Sequence, residues 1–342
     1  MVRQLRRPIV WVPVSIGLLA LVVWRSRLWE AGATLGAIDA RPLLAALLVG
    51  QATPILWALR SRDLLAGAGR HVPFVALLPM TSFANTINNL TPGSAGELAR
   101  LYLLRTQHAV EYGIGAAVIL IERFVALGYL SMSGVLFWAS WAWSLPPIAT
   151  VALALLVGLA PAAIYGLGIR PLAIVARLPL RRVVGGDRWT SWAAALDRVD
   201  ATIARLLVDP RRLVVLAATT AGVFAVGTAQ LTLVAAATGA SLDPRVAWGA
   251  LGLSITAGVL SLLPFGLGAA DLALVALLGV AGVGPVQAGV IAFGYRLVST
   301  LPYALEGVAA YAWLSARLGD GEMRRGAADA AAGIGAGPDA TG

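Results

Sequence analysis

Two long apolar segments of this chain contain charged side chains that would be poorly solvated inside a bilayer. Glu122 and Arg123 are adjacent in the segment 113–140, and Arg296 lies in the segment 286–314. A helix beginning near residue 113 would place Glu122 and Arg123 about 14 Å from its end, near the middle of a hydrocarbon core of about 30 Å. An unpaired charge there costs roughly 2.5–3.5 kcal/mol, so each side chain is expected to face a partner or a watery cavity.

The partners of these charges must come from other segments. Successive residues on a helix point about 100° apart, so Glu122 and Arg123 cannot neutralise each other face to face. The candidate partners are Arg100 or Arg105 for Glu122, and Glu97, Asp271 or Glu306 for Arg123 and Arg296. One interpretation is a set of buried ion pairs that only lock helices together. The other is an oxyanion site, because the guanidinium fork binds phosphate bidentately.

The segment 85–105 combines several features of an anion site. It reads NTINNLTPGSAGELARLYLLR. A helix break there would expose free backbone N–H groups at the start of the next helix, and such groups attract anions. Glu97 has a simpler interpretation as an ordinary first-turn acid that follows an N-cap at Ser94. The candidate binding residues of this segment are Asn88, Asn89, Glu97 and Arg100, and its predicted helix breaks are Pro92, Gly93 and Gly96.

A second interrupted segment repeats this order about 172 residues later. The predicted breaks there are Pro264, Gly266 and Gly268, followed by Asp271 and then by a long helix with Arg296. The first repeat covers about 42–140 and the second about 213–314. Counting crossings from a cytoplasmic amino terminus makes the two repeats inverted. Inverted repeats with discontinuous helices are typical of transporters with a midplane site, although a relic of duplication in a scaffold would leave the same pattern.

The composition predicts an all-α polytopic membrane protein. The 342 residues are 59% hydrophobic and 13% charged, with a mean hydropathy of +0.81, far from the balance of soluble domains. We expect about six full transmembrane helices plus two broken or re-entrant hairpins in an inverted repeat. They would form a single transmembrane domain at 1–318, followed by a disordered tail at 319–342 that is too poor in large apolar residues to order itself.

The distribution of arginine predicts the orientation. The loop 170–212 carries nine arginines against four aspartates, which favours a cytoplasmic location for this loop and for both termini. Arginines at positions 3, 6 and 7 precede the first apolar stretch, and no small-residue cleavage site follows it, so we interpret this stretch as an uncleaved helix. Within the loop, residues 189–208 form an amphipathic helix that lies on the membrane surface or packs against the protein's own cytoplasmic face.

Several classes of site are disfavoured. The chain has no cysteine and two histidines, which excludes disulfides and thiolate metal sites, and we expect no metal or cofactor. All 26 basic residues are arginine, but in a membrane protein this excess marks the cytoplasmic side, so no nucleic-acid partner is expected.

Four motifs resemble a known family. They are NNLTPGSAGELARLYLLR, IERF at 121–124, LLPFGLGAAD at 262–271 and YRL at 295–297. Together they resemble the flippase-like family typified by the transmembrane region of lysylphosphatidylglycerol synthase, over roughly residues 10–318. The resemblance implies a bacterial or archaeal inner-membrane protein that moves or presents lipid-linked substrates. Relatives often end the second hairpin in glutamate after a basic residue, where this chain has Ala270 and Asp271. No large soluble aminoacyltransferase domain is found, so the resemblance implies the translocase part alone.

Three functions fit these features, and a transporter is favoured over an enzyme. In the first, a translocase of lipid or polyprenyl-phosphate-linked anionic substrates holds the head-group phosphate with Arg123 and Arg296, while Glu97, Glu122 and Asp271 balance charge or couple to protons. Its partners would be anionic or phosphate-bearing membrane lipids and, in a homo-oligomer, a second copy of the chain. The second is a membrane-embedded lipid head-group or glycosyl transferase with Glu97 or Glu122 as base, although no DxD or HExxH motif is found. The third is a scaffold that binds a partner through the helix 189–208.

Overall fold

Helices make up all the regular structure of the described residues. The computed structural model describes residues 8–90, 95–177, 186–261, 263 and 266–318. The first seven α-helices are α1 Pro8–Arg25, α2 Gly32–Gly36, α3 Ala40–Gly50, α4 Ala52–Gly67, α5 Phe74–Leu90, α6 Ala95–His108 and α7 Tyr112–Ala142, with a 3₁₀ turn at Leu28–Glu30. The other seven are α8 Pro147–Gly166, α9 Pro171–Arg177, α10 Gly186–Val208, α11 Pro210–Ala237, α12 Pro244–Leu260, α13 Ala269–Val280 and α14 Pro285–Leu318.

Three helical segments of the described chain are long and apolar enough to cross a bilayer. They are Ala40–Gly67, which joins α3 and α4, together with α7 and α11, and each has a mean hydropathy of 1.7. Two shorter apolar helices, Pro13–Arg25 and α13, accompany them. Large apolar side chains such as Leu48 and Val214 are exposed on these segments, as expected where lipid is the solvent. The prediction of an all-α fold is confirmed, and the long apolar helices agree with a polytopic membrane protein.

The segment Ala40–Gly67 is interrupted near its middle. Gln51 separates α3 from α4, and Pro54 follows in the first turn of α4. Proline has no N–H to bond the carbonyl of Gly50, and its ring crowds that carbonyl, so the helix bends there. The arginines Arg60, Arg62 and Arg70 after the second apolar run predict a cytoplasmic turn there, and for Arg60 this prediction is wrong. Arg60 lies inside α4 with 7% of its surface exposed, because the helix continues to Gly67.

Two hairpins of short helices occupy the interrupted segments. The arms of the first are α5 and α6, with 17 and 14 residues, and those of the second are α12 and α13, with 17 and 12 residues. At 1.5 Å per residue these arms are about 18–26 Å long, shorter than a hydrocarbon core of about 30 Å.

The predicted helix breaks have different outcomes. Pro92, Gly93 and Pro264 lie outside the described residues. Gly266 and Gly268 precede α13 with φ of 59° and 81°, a left-handed conformation that glycine adopts without strain. Gly96 is not a break, because it lies inside α6. A Cβ at Gly96 would overlap the Ala84 carbonyl oxygen of α5, so this glycine lets the two arms of the first hairpin touch.

Antiparallel contacts join the amino-terminal and carboxy-terminal halves of the chain. Along α4 and α11, Leu56 meets Gly222 and Asp63 meets Arg212, so the residue numbers run in opposite directions. Each hairpin also packs against the long helix of the other half. In α7 and α12, Gly134 meets Gly252 and Trp138 meets Gly249, and in α5 and α14 Phe83 meets Tyr311 and Thr86 meets Gly307. Glycines at these crossings let the backbones approach closely, as is common between membrane helices.

The predicted amphipathic helix is part of α10, and its carboxy-terminal half packs against the protein's own helices. Val199, Ile203 and Leu206 are buried in a cluster with residues of α4, α6 and α7. Asp200 is fully buried and accepts a hydrogen bond of 2.7 Å from the hydroxyl of Tyr165. Trp192 remains 54% exposed. Of the two interpretations of this helix, packing against the protein itself therefore describes its carboxy-terminal half.

Candidate functional site

An ion pair joins the start of α6 to the middle of α7. The Nε atom of Arg123 lies 2.8 Å from Oε1 of Glu97, and its Nη2 contacts the same oxygen. Asn88 of α5 donates to this oxygen at 3.0 Å. Glu97 is largely buried, whereas 48% of the Arg123 side chain is exposed. Oε1 of Glu97 therefore accepts hydrogen bonds from both the Asn88 amide and the Arg123 guanidinium. The side of the guanidinium that faces away from Glu97 is exposed.

A second ion pair lies deeper, behind the first. Nη1 of Arg100 is 2.6 Å from Oε2 of Glu122, and Ser61 donates to the other oxygen of Glu122 at 2.5 Å. Arg100 is also 3.5 Å from Glu97, which links the two pairs. Arg100 and Glu122 are 3% and 5% exposed. Glu122 thus pairs with Arg100, one of the two partners expected for it, and the contact of Arg105 is with the Tyr112 ring instead.

Arg60 and Ser61 extend this cluster, although neither was among the candidate site residues predicted from the sequence. The Nη1 atom of Arg60 is 3.4 Å from the Thr220 hydroxyl of α11, and its charge interacts with that of Glu122. Both residues sit within WALRSRDLL, which resembles the polar end of a helix. The sequence did contain a sign that Arg60 lies inside a helix, because the apolar pattern continues beyond it to Leu64 and Leu65. Both leucines are buried in the structure.

In the second half of the chain, Asp271 and Arg296 form a bidentate pair. Nε of Arg296 is 2.7 Å from Oδ1 of Asp271, and its Nη2 is 2.8 Å from Oδ2. Oδ2 also accepts the backbone N–H of Gly268 at 2.9 Å, which caps the first turn of α13. Asp271 is 4% exposed and the Arg296 side chain 19%. The shorter acid found here in place of glutamate therefore still reaches its arginine.

The pairs Glu97–Arg123 and Asp271–Arg296 occupy corresponding places in the two halves of the chain. Each acid lies in the first turn of the second hairpin arm, and each arginine lies 11 residues into the following long helix, about 16 Å from that helix's start. The halves differ at the residue before the arginine, which is Glu122 in one and Tyr295 in the other. The buried pair with Arg100 therefore belongs to the first half alone.

The structure brings together most of the site residues that the sequence suggested. Glu97, Arg100, Glu122 and Arg123 form one cluster with Asn88, while Asp271 and Arg296 form another. Asn89 is half-buried beside Asn88 on α5. Glu306 pairs with neither Arg123 nor Arg296. Within the described residues no group of three or more His, Asp or Glu side chains could hold a metal ion.

These elements match a known family. The profile of the family described as lysylphosphatidylglycerol synthase TM region matches residues 9–307. The chain belongs to this family. Membership confirms the resemblance inferred from the four motifs, and it places the chain among membrane proteins of lipid modification or transport. No curated protein shows significant similarity to it.

The matched range includes every paired charge of both clusters. Residues 9–307 extend from α1 to just beyond Glu306. Both hairpins, with their acids, and both arginine-bearing helices are therefore parts of the transmembrane region that defines the family.

Proposed function

We propose that this member of the lysylphosphatidylglycerol synthase transmembrane-region family translocates an anionic, phosphate-bearing lipid or polyprenyl-linked substrate across the membrane. The observation that carries the proposal is the pair of acid–arginine contacts, Glu97–Arg123 and Asp271–Arg296, at corresponding places in the two halves of the chain. If the two halves are oppositely oriented, a substrate held by these two arginines can be reached from each side of the membrane in turn, as in transporters with inverted repeats.

The helix contacts support an inverted repeat. The leading helices of the two halves, α4 and α11, run antiparallel, and each hairpin packs on the long helix of the other half. A twofold axis in the membrane plane relates elements in this manner. We therefore propose a single transmembrane domain over 1–318 with about six full spans and two re-entrant hairpins, whose short arms stop within the hydrocarbon core.

The arginines support a cytoplasmic location of both termini. Arg70 pairs with Glu111, and Arg212 donates to the Asp63 carbonyl, so the end of α4 and the starts of α7 and α11 share one face. Arg245 donates to the Leu145 carbonyl at the opposite face. The first face carries Arg62, Arg70, Arg105, Arg211, Arg212 and Arg317, and the second carries Arg25, Arg27, Arg41 and Arg245. The loop that contains α10 adds further arginines to the first face, which is the cytoplasmic one by the positive-inside rule.

In this proposal a substrate phosphate replaces a protein carboxylate as the partner of each arginine. Arg296 offers two parallel N–H groups to the Asp271 carboxylate, and a phosphate accepts the same fork. When a head-group phosphate replaces the carboxylate, the guanidinium stays neutralised within the membrane, where an unpaired charge is costly. Asp271 keeps the Gly268 N–H as a partner. Glu97 and Arg123 act in the same way in the first half, and the buried Arg100–Glu122 pair holds their helices in place.

An apolar cavity, lined in part by Tyr129 six residues after Arg123 on α7, suits the hydrocarbon part of such a substrate. It has a volume of about 280 Å³ and lies between α7, α8, α11 and α12. Three aromatic residues, Tyr129, Phe137 and Trp248, line it, and the rings of Phe137 and Trp248 stack with their centroids 4.8 Å apart. Apolar walls of this kind favour an acyl or prenyl chain over a polar ligand.

Lipid movement in proteoliposomes tests the proposal. The purified full chain is reconstituted with acyl-labelled fluorescent phosphatidylglycerol, and an impermeant reductant bleaches the outer leaflet. We expect the protein to accelerate exposure of the inner-leaflet phosphatidylglycerol, and to do so less for phosphatidylcholine, whose head group has no net charge. Polyprenyl phosphate added as a competitor is expected to slow the movement. Absence of protein-dependent movement for phosphatidylglycerol, together with no binding of polyprenyl phosphate, would remove the proposal.

A further inference from the structure

One carboxyl group in the membrane part of the fold is unlike the others. Among the described acids at comparable depth, Glu97, Glu122 and Asp271 each pair with an arginine. Glu306 has no such partner among the described residues, and its Oε1 atom is buried without a hydrogen bond. It lies 12 residues before the end of α14, about 18 Å along the helix and therefore within a core of about 30 Å. The residue as a whole is half-buried, and partial removal from water without a counter-charge favours the neutral, protonated acid.

The groups around Glu306 are polar but carry no charge. The Gln51 side chain, at the junction of α3 and α4, faces the carboxyl. Tyr303, one turn earlier on α14, turns its hydroxyl towards Thr53 and its ring towards Trp57.

The described residues of α5, α11 and α13 also bring no charge to Glu306. From α5, the Thr86 hydroxyl donates to the Tyr303 carbonyl. From α11, Gln230 donates to the carbonyls of Ala46 and Val298. The charged groups on these helices are engaged elsewhere, since Arg60 of α4 faces Thr220 and Asp271 of α13 holds Arg296.

Glu306 also lies near two prolines within helices. Pro302 is inside α14 one turn before it, and Pro54 is in the first turn of α4, which begins directly after Gln51. Pro302 cannot donate to the carbonyl of Val298, and Gln230 supplies that hydrogen bond from α11. Bending of α14 at Pro302 would move Glu306 relative to Gln51, and Arg296 lies on the other side of Pro302.

We propose that Glu306 is a proton-binding site that couples substrate movement to the proton gradient. The carboxyl holds its proton in the state described above and releases it to water when α14 bends at Pro302 and opens the contact with Gln51. One proton is bound from water on one side and released on the other, and no other reactant is needed. This proposal rests on the proposed function for the direction of coupling, but the protonation itself is a property of the chain alone.

Infrared difference spectroscopy of the full chain in lipid nanodiscs tests the protonation without any substrate. We expect a carbonyl stretch of a protonated carboxylic acid to persist at neutral pH in the wild-type protein and to be absent in Glu306→Gln. Glu111→Gln, which removes an exposed acid paired with Arg70, is the matched control and is expected to retain the band. Glu306→Gln is uncharged like the protonated acid, so it should fold with an unchanged thermal midpoint. An acid band that is the same in Glu306→Gln and the wild type overturns the proposal.

Transport measures the coupling. An imposed pH gradient is expected to stimulate lipid movement by the wild-type protein several-fold and to have no effect on Glu306→Gln, whose movement without a gradient continues. Glu306→Asp, which restores a titratable group, should recover part of the stimulation. Equal stimulation of Glu306→Gln and the wild type would refute the coupling. If wild-type vesicles move no lipid, the proposed function fails, and the infrared result still decides whether Glu306 binds a proton.

Discussion

Arg296→Ala is expected to reduce protein-dependent lipid movement at least about 100-fold, because charge-assisted hydrogen bonds contribute about 1.5–3 kcal/mol each and every 1.4 kcal/mol is a factor of ten. The guanidinium makes two such bonds to Asp271 in the resting protein, and we expect it to make two to the substrate phosphate. The rate is measured in the proteoliposome assay with fluorescent phosphatidylglycerol. Insertion and folding are followed by membrane yield and gel filtration.

Two variants separate the loss of phosphate binding from a loss of structure. Arg245→Ala removes an arginine whose partner is Asp243 in a connecting loop, and it is expected to leave the rate unchanged. Arg296→Gln combined with Asp271→Asn replaces the pair by neutral side chains that can still hydrogen-bond, which should give a folded protein that does not transport. If Arg296→Ala moves lipid at the wild-type rate, the arginine has no part in the site.

Glu122→Ala is expected to destabilise the protein by about 3–5 kcal/mol, because removing one partner of a buried pair leaves the other charge uncompensated. Arg100 is 3% exposed and Arg60 7%, and Glu122 is the acid next to both. Ser61 would lose an acceptor as well. The free energy of unfolding is measured in mild detergent by denaturant titration with circular dichroism.

Glu111→Ala is the matched control for that measurement. Its pair with Arg70 is 2.6 Å long, similar to that of Glu122 with Arg100, but the two side chains are 62% and 37% exposed. Exposed pairs contribute about 0–1 kcal/mol, so we expect a change of that size. Equal effects of the two substitutions would mean that the interior cluster is solvated, and the cluster would then not be a structural anchor of the site.

The sequence was sufficient for the class of fold and for the charged positions. Apolar runs and their interruptions give the helices, since length and hydropathy decide what can cross a bilayer. The need for partners of Glu122, Arg123 and Arg296 follows from the cost of a charge in hydrocarbon. Which acid meets which arginine could not be derived, because a helical pattern fixes the direction of a side chain but not its neighbour. Arg123 has Glu97 and Arg296 has Asp271, and Glu306, the third candidate, pairs with neither.

Two errors have the same physical origin. Arg60 was assigned to a turn because arginines usually end a membrane helix, yet Glu122, 62 residues later in the sequence, and Thr220 on α11 make an interior position favourable. Gly96 was assigned to a break because glycine destabilises helices, yet the approach of α5 to α6 requires it inside one. In both cases a tertiary contact outweighed the local preference, and such contacts are not visible in a linear pattern.

The opposite orientation of the two halves is the central claim, and the absence of cysteine allows a direct test. Single cysteines are placed at the outer ends of the hairpin arms, at His71 and Thr106 for the first and at Ser241 and Gly284 for the second, all of which are exposed. Each variant is labelled with an impermeant maleimide from one side of sealed vesicles at a time. The account predicts that His71→Cys and Thr106→Cys react from one face and Ser241→Cys and Gly284→Cys from the other. Labelling of all four from the same face would contradict the inverted arrangement and would favour a membrane-embedded transferase with both hairpins open to one side.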